Sequence, residues 1–268
     1  ENDILYRQLL CSLAEQLFYD NPKSHDLNLL CFFAVDIFDT DFALDCLNML
    51  IKLVAQATPV IIDLFQTKYS FSNFFVLIRS DNERIRAQCV HLFAQFYQQE
   101  KHIQQTLLGS FEPSEMIYNF VIHLQMQSIQ LYFTDTVFNY LLGFYNETTS
   151  FSEPPHAFSV LDACPKSKVT FFDILPLAIA CIWPLESHFA LRYIGILRDA
   201  VQLNGHEIIS QPFWYQPFVL FLCSYQSGDV YNAMLDCLTD LLLIQAHFCN
   251  PFQQISQLFA RIAFVAKR

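Results

Sequence analysis

Glycine is scarce in this chain: five in 268 residues. A phosphate-cradling loop needs closely spaced glycines so that backbone N–H groups can reach an anion. The two closest, Gly195 and Gly205, stand ten positions apart. That excludes a P-loop and a dinucleotide-binding fingerprint. Charged residues make up only 15%. The basic ones are scattered and form no run, against a net charge of −11. An extended nucleic-acid footprint and a basic membrane-binding patch both lack support.

Paired cysteines at metal spacing are also missing. The nine cysteines include no CxxC, and their number is odd. Cys46, Cys89 and Cys237 each sit inside an amphipathic apolar pattern, which fits core thiols in a reducing compartment. His247 and Cys249, and likewise Cys89 and His91, lie two apart, without a second pair at zinc-like spacing. His91 reads as a helix-surface or core histidine. Asp36, Asp39, Asp41 and Asp45 crowd one stretch. Counted from Asp39, however, the sixth and twelfth positions are Leu44 and Leu50, where a calcium loop needs Gly and Glu. A capped helix start with solvated acids is the better reading. No GxSxG elbow is present. We assign no catalytic, cofactor-binding or metal residue and expect no enzyme and no cofactor.

What remains is apolar and helical in pattern. Hydrophobic residues reach 53%, with 28 Phe. The longest uncharged window, Ile208 to Gly228, is interrupted by Gln211, Gln216, Gln226, Pro212 and Pro217, so its apolar part is too short for a membrane span. It reads as a helix buried within a helical stack. Trp183 and Trp214 lie in apolar segments and read as core. Asn146-Glu147-Thr148 matches a glycosylation sequon, read as a chance match. The start at Glu1, without Met, reads as a piece cut from a longer protein.

In "FFVLIRSDNERIRAQCVHLFAQF", a polar turn with Ser80 or Asp81 as cap precedes a helix. Ile85, Cys89, Leu92, Phe93 and Phe96 then form one helical face, with Glu83, Arg86, Gln88 and Gln95 elsewhere. The template recurs. Phe42, Cys46, Met49, Leu50 and Leu53 follow Asp39-Thr40-Asp41. Phe189, Tyr193, Ile196, Leu197 and Ala200 follow Glu186-Ser187. Val230, Met234, Cys237, Leu238 and Leu241 follow Ser227-Gly228-Asp229. A weaker copy, Tyr140, Gly143 and Phe144, follows Asp135. Markers Cys46, Cys89, Tyr140, Tyr193 and Met234 are spaced by 43, 51, 53 and 41 residues. Shorter apolar helices are expected from Pro59, Ser114 and Phe171. This pattern predicts an all-α, armadillo/HEAT-like α-solenoid of stacked helix pairs. An irregular all-α domain is the alternative. The Ser-, Thr- and Pro-rich stretch 146–168 is expected to be a loop or insertion, dividing helical repeats 1–145 from helical repeats 169–268.

"LIRSDNERIRAQCVHLFAQF" resembles a helix pair in the armadillo-like region of BEACH-domain proteins of the neurobeachin type. "FWYQPFVLFLCSY" with "NAMLDCLTDLLLIQAHF" is similar to a Trp-bearing segment and the helix after it in the same region. The resemblance implies a non-enzymatic scaffold segment of a large cytoplasmic protein linked to vesicle traffic and membrane organisation. Any membrane association would then come through flanking domains. The expected function is protein binding, with the acidic surface favouring basic segments of a partner. A purely architectural spacer between domains and an all-α enzyme are the alternatives. If 3–19 and 251–265 are ends of a longer array, their outer faces should be apolar and the fragment should self-associate.

Overall fold

In the computed structural model the described residues are 9, 12–14, 16–17, 24–35, 40–56, 58–59, 61, 71–98, 121, 129, 131–142, 172–211, 214–224 and 228–248. Among them every regular element is helical. They are α1 (Ser24–Val35), α2 (Thr40–Gln56), a 3-10 helix (Phe71–Arg79), α3 (Glu83–Gln98), α4 (Leu131–Leu142), a 3-10 turn (Phe172–Ile174), α5 (Leu175–Ile182), α6 (Ser187–Ser210), α7 (Gln216–Ser224) and α8 (Gly228–Phe248). The stretch 146–168 with its sequon, the marker-flanking Gly143 and Phe144, most of the segments expected from Pro59 and Ser114, and 251–265 lie outside the described residues. The chain divides into two compact units, Glu1–Ser128 and Ile129–Arg268.

In the first unit α1 packs on α2, and the 3-10 helix packs on α3. The first element of each pair also touches the first of the next, and α2 lies on α3. Cys46 and Cys89, 43 residues apart, both face this core at 1% and 0% exposure. A 3-10 helix has three residues per turn, so Phe74 and Leu77 share one ridge, and both are fully buried.

The second unit repeats the arrangement. Helix α5 meets α6, α7 meets α8, α5 touches α7, and α6 lies along α8. Helix α4 packs on α5 and the 3-10 turn. Tyr193 and Met234, 41 residues apart, are fully buried. The two steps of repeat-like length thus correspond to stacked second helices. A helix pair cannot bury its apolar stripe alone, and a neighbour of the same geometry covers it.

Local chemistry explains where the elements begin. Ahead of α3, Asn82 is the cap: the Arg84 N–H donates to its Oδ1 at 2.9 Å. Ser80, with Asp81 one of the two alternative caps expected from sequence, instead accepts from the Asn82 N–H at 3.2 Å and shapes the turn. The Arg86 guanidinium donates back to the Ser80 carbonyl from a fully buried position. Pro176 sits in the first turn of α5, where its missing N–H costs nothing.

Two sequence expectations need correction. Asp135 precedes no helix; it lies inside α4 and is buried. The 208–228 window is not one buried helix. Helix α6 ends at Ser210, Gln211 is extended, and α7 is short. Pro217, Phe218 and Phe221 of α7 are buried, while Leu220 is 63% exposed. The prolines and glutamines break the run, and α7 buries one face only. Among the described residues no helix is long and apolar enough to cross a membrane.

Candidate interaction surface

The inner faces were legible as stripes. Val230, Met234, Cys237, Leu238 and Leu241 of α8 are all buried, as are Ile85, Cys89, Leu92, Phe93 and Phe96 of α3. Phe42 departs from the template at 40% exposure. Burial pushes the thiols of Cys31 and Cys237 up to about 12 and that of Cys89 higher still, so they stay protonated. Cys89 donates its S–H to the Phe74 carbonyl at 3.5 Å, tying α3 to the 3-10 helix. Among the described residues no group of His, Cys, Asp and Glu could hold a metal ion.

Polar residues on α3 lie deeper than amphipathicity predicts. Arg86, Gln88, His91 and Gln95 are each 5% exposed or less. Every residue from Ile85 to Phe96 is buried. Burial pushes the His91 imidazole down to about 3, so it is neutral at pH 7. The signal was present in the sequence: Ala87, Val90 and Ala94, on the side turned from the inner stripe, are small or apolar.

In the second unit, the Tyr193 hydroxyl of α6 donates to Asp135 Oδ1 of α4 at 2.5 Å. The Tyr193 ring lies 4.7 Å from that of Phe138. Burial, then the Asp135 carboxylate, push the phenol well above its ordinary range. The pair has the character of a charge-assisted bond between helices. In α6, Asn204 leaves helical geometry (φ −129°, ψ 19°) and its Nδ2 donates to the Ala200 carbonyl at 3.0 Å. The next residue is Gly205, where an added Cβ would stand 2.3 Å from Ile244 Cδ1. Only glycine allows α8 to approach that closely without a shift of Ile244.

The open side of this layer is different. Arg198 of α6 reaches Asp240 (Nε–Oδ2 2.9 Å) and Asp236 (Nη1–Oδ2 3.5 Å) of α8. Leu191 and Leu203 of α6 and Leu235 and Leu243 of α8 are 37–55% exposed. Gly195 faces open space. Trp214 is buried at 7%, beside Tyr215 and Phe218 at 5.9 and 6.4 Å, as expected. Trp183, read as core, is 37% exposed where α5 ends. In the first unit, Leu9, Leu13 and Leu17 recur every four residues and are 54–67% exposed.

A comparison with protein families matches residues 1–191 to the model described as Neurobeachin/BDCP, DUF4704 alpha solenoid region. The chain belongs to this family. It is therefore an all-α chain of the α-solenoid class, from the neurobeachin type of BEACH protein. The match spans the first unit and runs into α6. Neither the curated proteins nor the solved structures gave a match.

Proposed function

We propose that this DUF4704 region is a non-enzymatic scaffold segment of a larger cytoplasmic protein and that it works by binding other proteins. The observation carrying this reading is the open side of α6 and α8, where exposed leucines lie among carboxylates on two rigid, mutually packed helices. Surfaces of this kind suit extended partners. The buried polar groups described above serve packing: Tyr193 holds Asp135 across helices, and Arg86 holds the turn before α3. That use of titratable groups supports a scaffold rather than a catalyst. By family membership, we infer a role in vesicle traffic and membrane organisation, with membrane association through flanking domains. The stretch 146–168 is proposed as a loop contributing to recognition.

The test is affinity capture from cytosol with this chain, read by mass spectrometry, beside a version whose 146–168 segment is replaced. A small set of partners, reduced by the replacement, is expected. No partner above background contradicts the binding role and leaves an architectural spacer.

A further inference from the structure

The open side of α6 and α8 has a definite layout. Two contacts fix the register: Arg198 lies level with Asp236 and Asp240, and Gly205 with Ile244. Both numbers rise together, so the two helices run parallel. Asp229, Asp236 and Leu243 recur every seven residues on α8 and are all exposed. They form the stripe bordering α6. Across from them, α6 presents Leu191, then Gly195 with open space above it, then Gln202. In this register Leu191 and Leu243 stand about 18 Å apart along the helices, at 1.5 Å per residue. Between them lie two carboxylates, Asp236 and Asp240, and one guanidinium, Arg198, with Asp229 just beyond the Leu191 end. The valley thus has a leucine at each end and one net negative charge between them, with a further carboxylate, Asp229, at the Leu191 end.

We infer that this valley is a docking site for a basic amphipathic helix of a partner protein. Such a helix would set apolar side chains about eleven positions apart on Leu191 and Leu243. Its Lys or Arg, four to seven positions after the first anchor, would meet Asp236 and Asp240. The negative centre selects a basic partner and rejects an acidic one. Gly195, with open space around it, adds no side chain that would hold the partner helix off. The inference rests on the protein-binding reading above and names its partner class.

The experiment is a selection on the full chain from a displayed library of 18-residue helical peptides. Each position of one peptide face is drawn from Leu, Ser, Lys and Glu. Enriched peptides are synthesised and titrated by fluorescence anisotropy against the wild-type chain, Asp236→Lys and Leu243→Ser, with circular dichroism to check each fold. Val76→Ser, in the first unit, is the control. The expected winners carry Lys between two Leu eleven positions apart. They bind at least tenfold more weakly to each valley variant and within twofold to the control. No enrichment, enrichment without preference for Lys over Glu, or equal binding to the valley variants overturns the proposal. So does a self-association of the chain that Asp236→Lys abolishes, since the occupant is then a second copy. Captured cytosolic partners retained by both valley variants would sink this site and leave the scaffold reading intact. Winners that bind as expected, beside a capture that yields nothing, would do the reverse.

Discussion

Helices α3 and α8 carry matching inner stripes, Ile85-Cys89-Leu92-Phe93-Phe96 and Val230-Met234-Cys237-Leu238-Leu241, all buried. Their outer sides differ. Where α3 has Ala87, Val90, His91 and Ala94, α8 has Asn232, Leu235, Asp236 and Thr239 at the equivalent places. The first four are buried and the second four exposed. An apolar stripe at helical spacing thus locates the face turned to the neighbouring repeat. Whether the other face is covered depends on small residues there and on chain elsewhere in the fold.

The largest effect expected from breaking this contrast is at equivalent outer positions. Ala94→Glu places a charge in a filled, buried site and should cost about 3 kcal/mol or more, whereas Thr239→Glu should stay within about 0.5 kcal/mol. Urea unfolding of the two variants measures both. Equal costs would mean that the two outer faces share one environment.

Next comes the link that joins α4 to α6. Tyr193→Phe keeps the ring and removes the hydroxyl that Asp135 accepts. A loss of about 1.5–3 kcal/mol is expected, as for hydrogen bonds to charged groups. An unchanged midpoint in the same unfolding series would mean that the bond adds nothing.

His91 gives the contrast a pH signature. Its imidazole is pushed down from 6.5 to about 3 in the folded chain. Between those values the unfolded state binds the extra proton, so stability falls as pH drops below about 6.5 and is fully retained above it. The slope from this one group approaches about 1.4 kcal/mol per pH unit. His91→Gln should flatten the acid limb relative to wild type in thermal melts from pH 7 to 4. Parallel limbs would place His91 in water.

Smaller still is the cap of α3. Asn82→Ala should cost about 1 kcal/mol through loss of the bond to the Arg84 N–H. Aspartate at position 82 should restore most of it. Last, alkylation of the native chain should modify exposed Cys223 and spare Cys31, Cys46, Cys89, Cys181 and Cys237, with no change in stability. Reaction of any of the five at a comparable rate would contradict their burial.

Helical class and inner stripes could be read in the sequence because burial imposes a 3.6-residue period on any covered face. The steps of 43 and 41 residues matched real stacking for the same reason. Other features were hidden. Asp135 looked like the head of a helix because acids cap helices often, and only the fold brings Tyr193 to it. Gln88 and Gln95 fell outside the inner stripe, and their burial could not be read because their own helix cannot say what lies opposite. Ser80 or Asp81 was the cap expected from sequence, and Asn82 was passed over; all three are good caps, and the geometry of the turn decides among them. Leu191 and Leu243 are lone exposed leucines in sequence, and the parallel register of α6 and α8 alone makes them two ends of one valley. The family resemblance was carried by core residues and so spoke to fold before function.

The most direct test of the difference between α3 and α8 is hydroxyl-radical footprinting of the intact chain, read residue by residue by mass spectrometry. Leu235 and Leu243 are expected to oxidise readily, while His91, Leu92, Phe93 and Phe96 stay protected until the chain unfolds. Oxidation of His91 at a rate matching that of Leu243 would contradict the account, because the outer side of α3 would then be as open as that of α8.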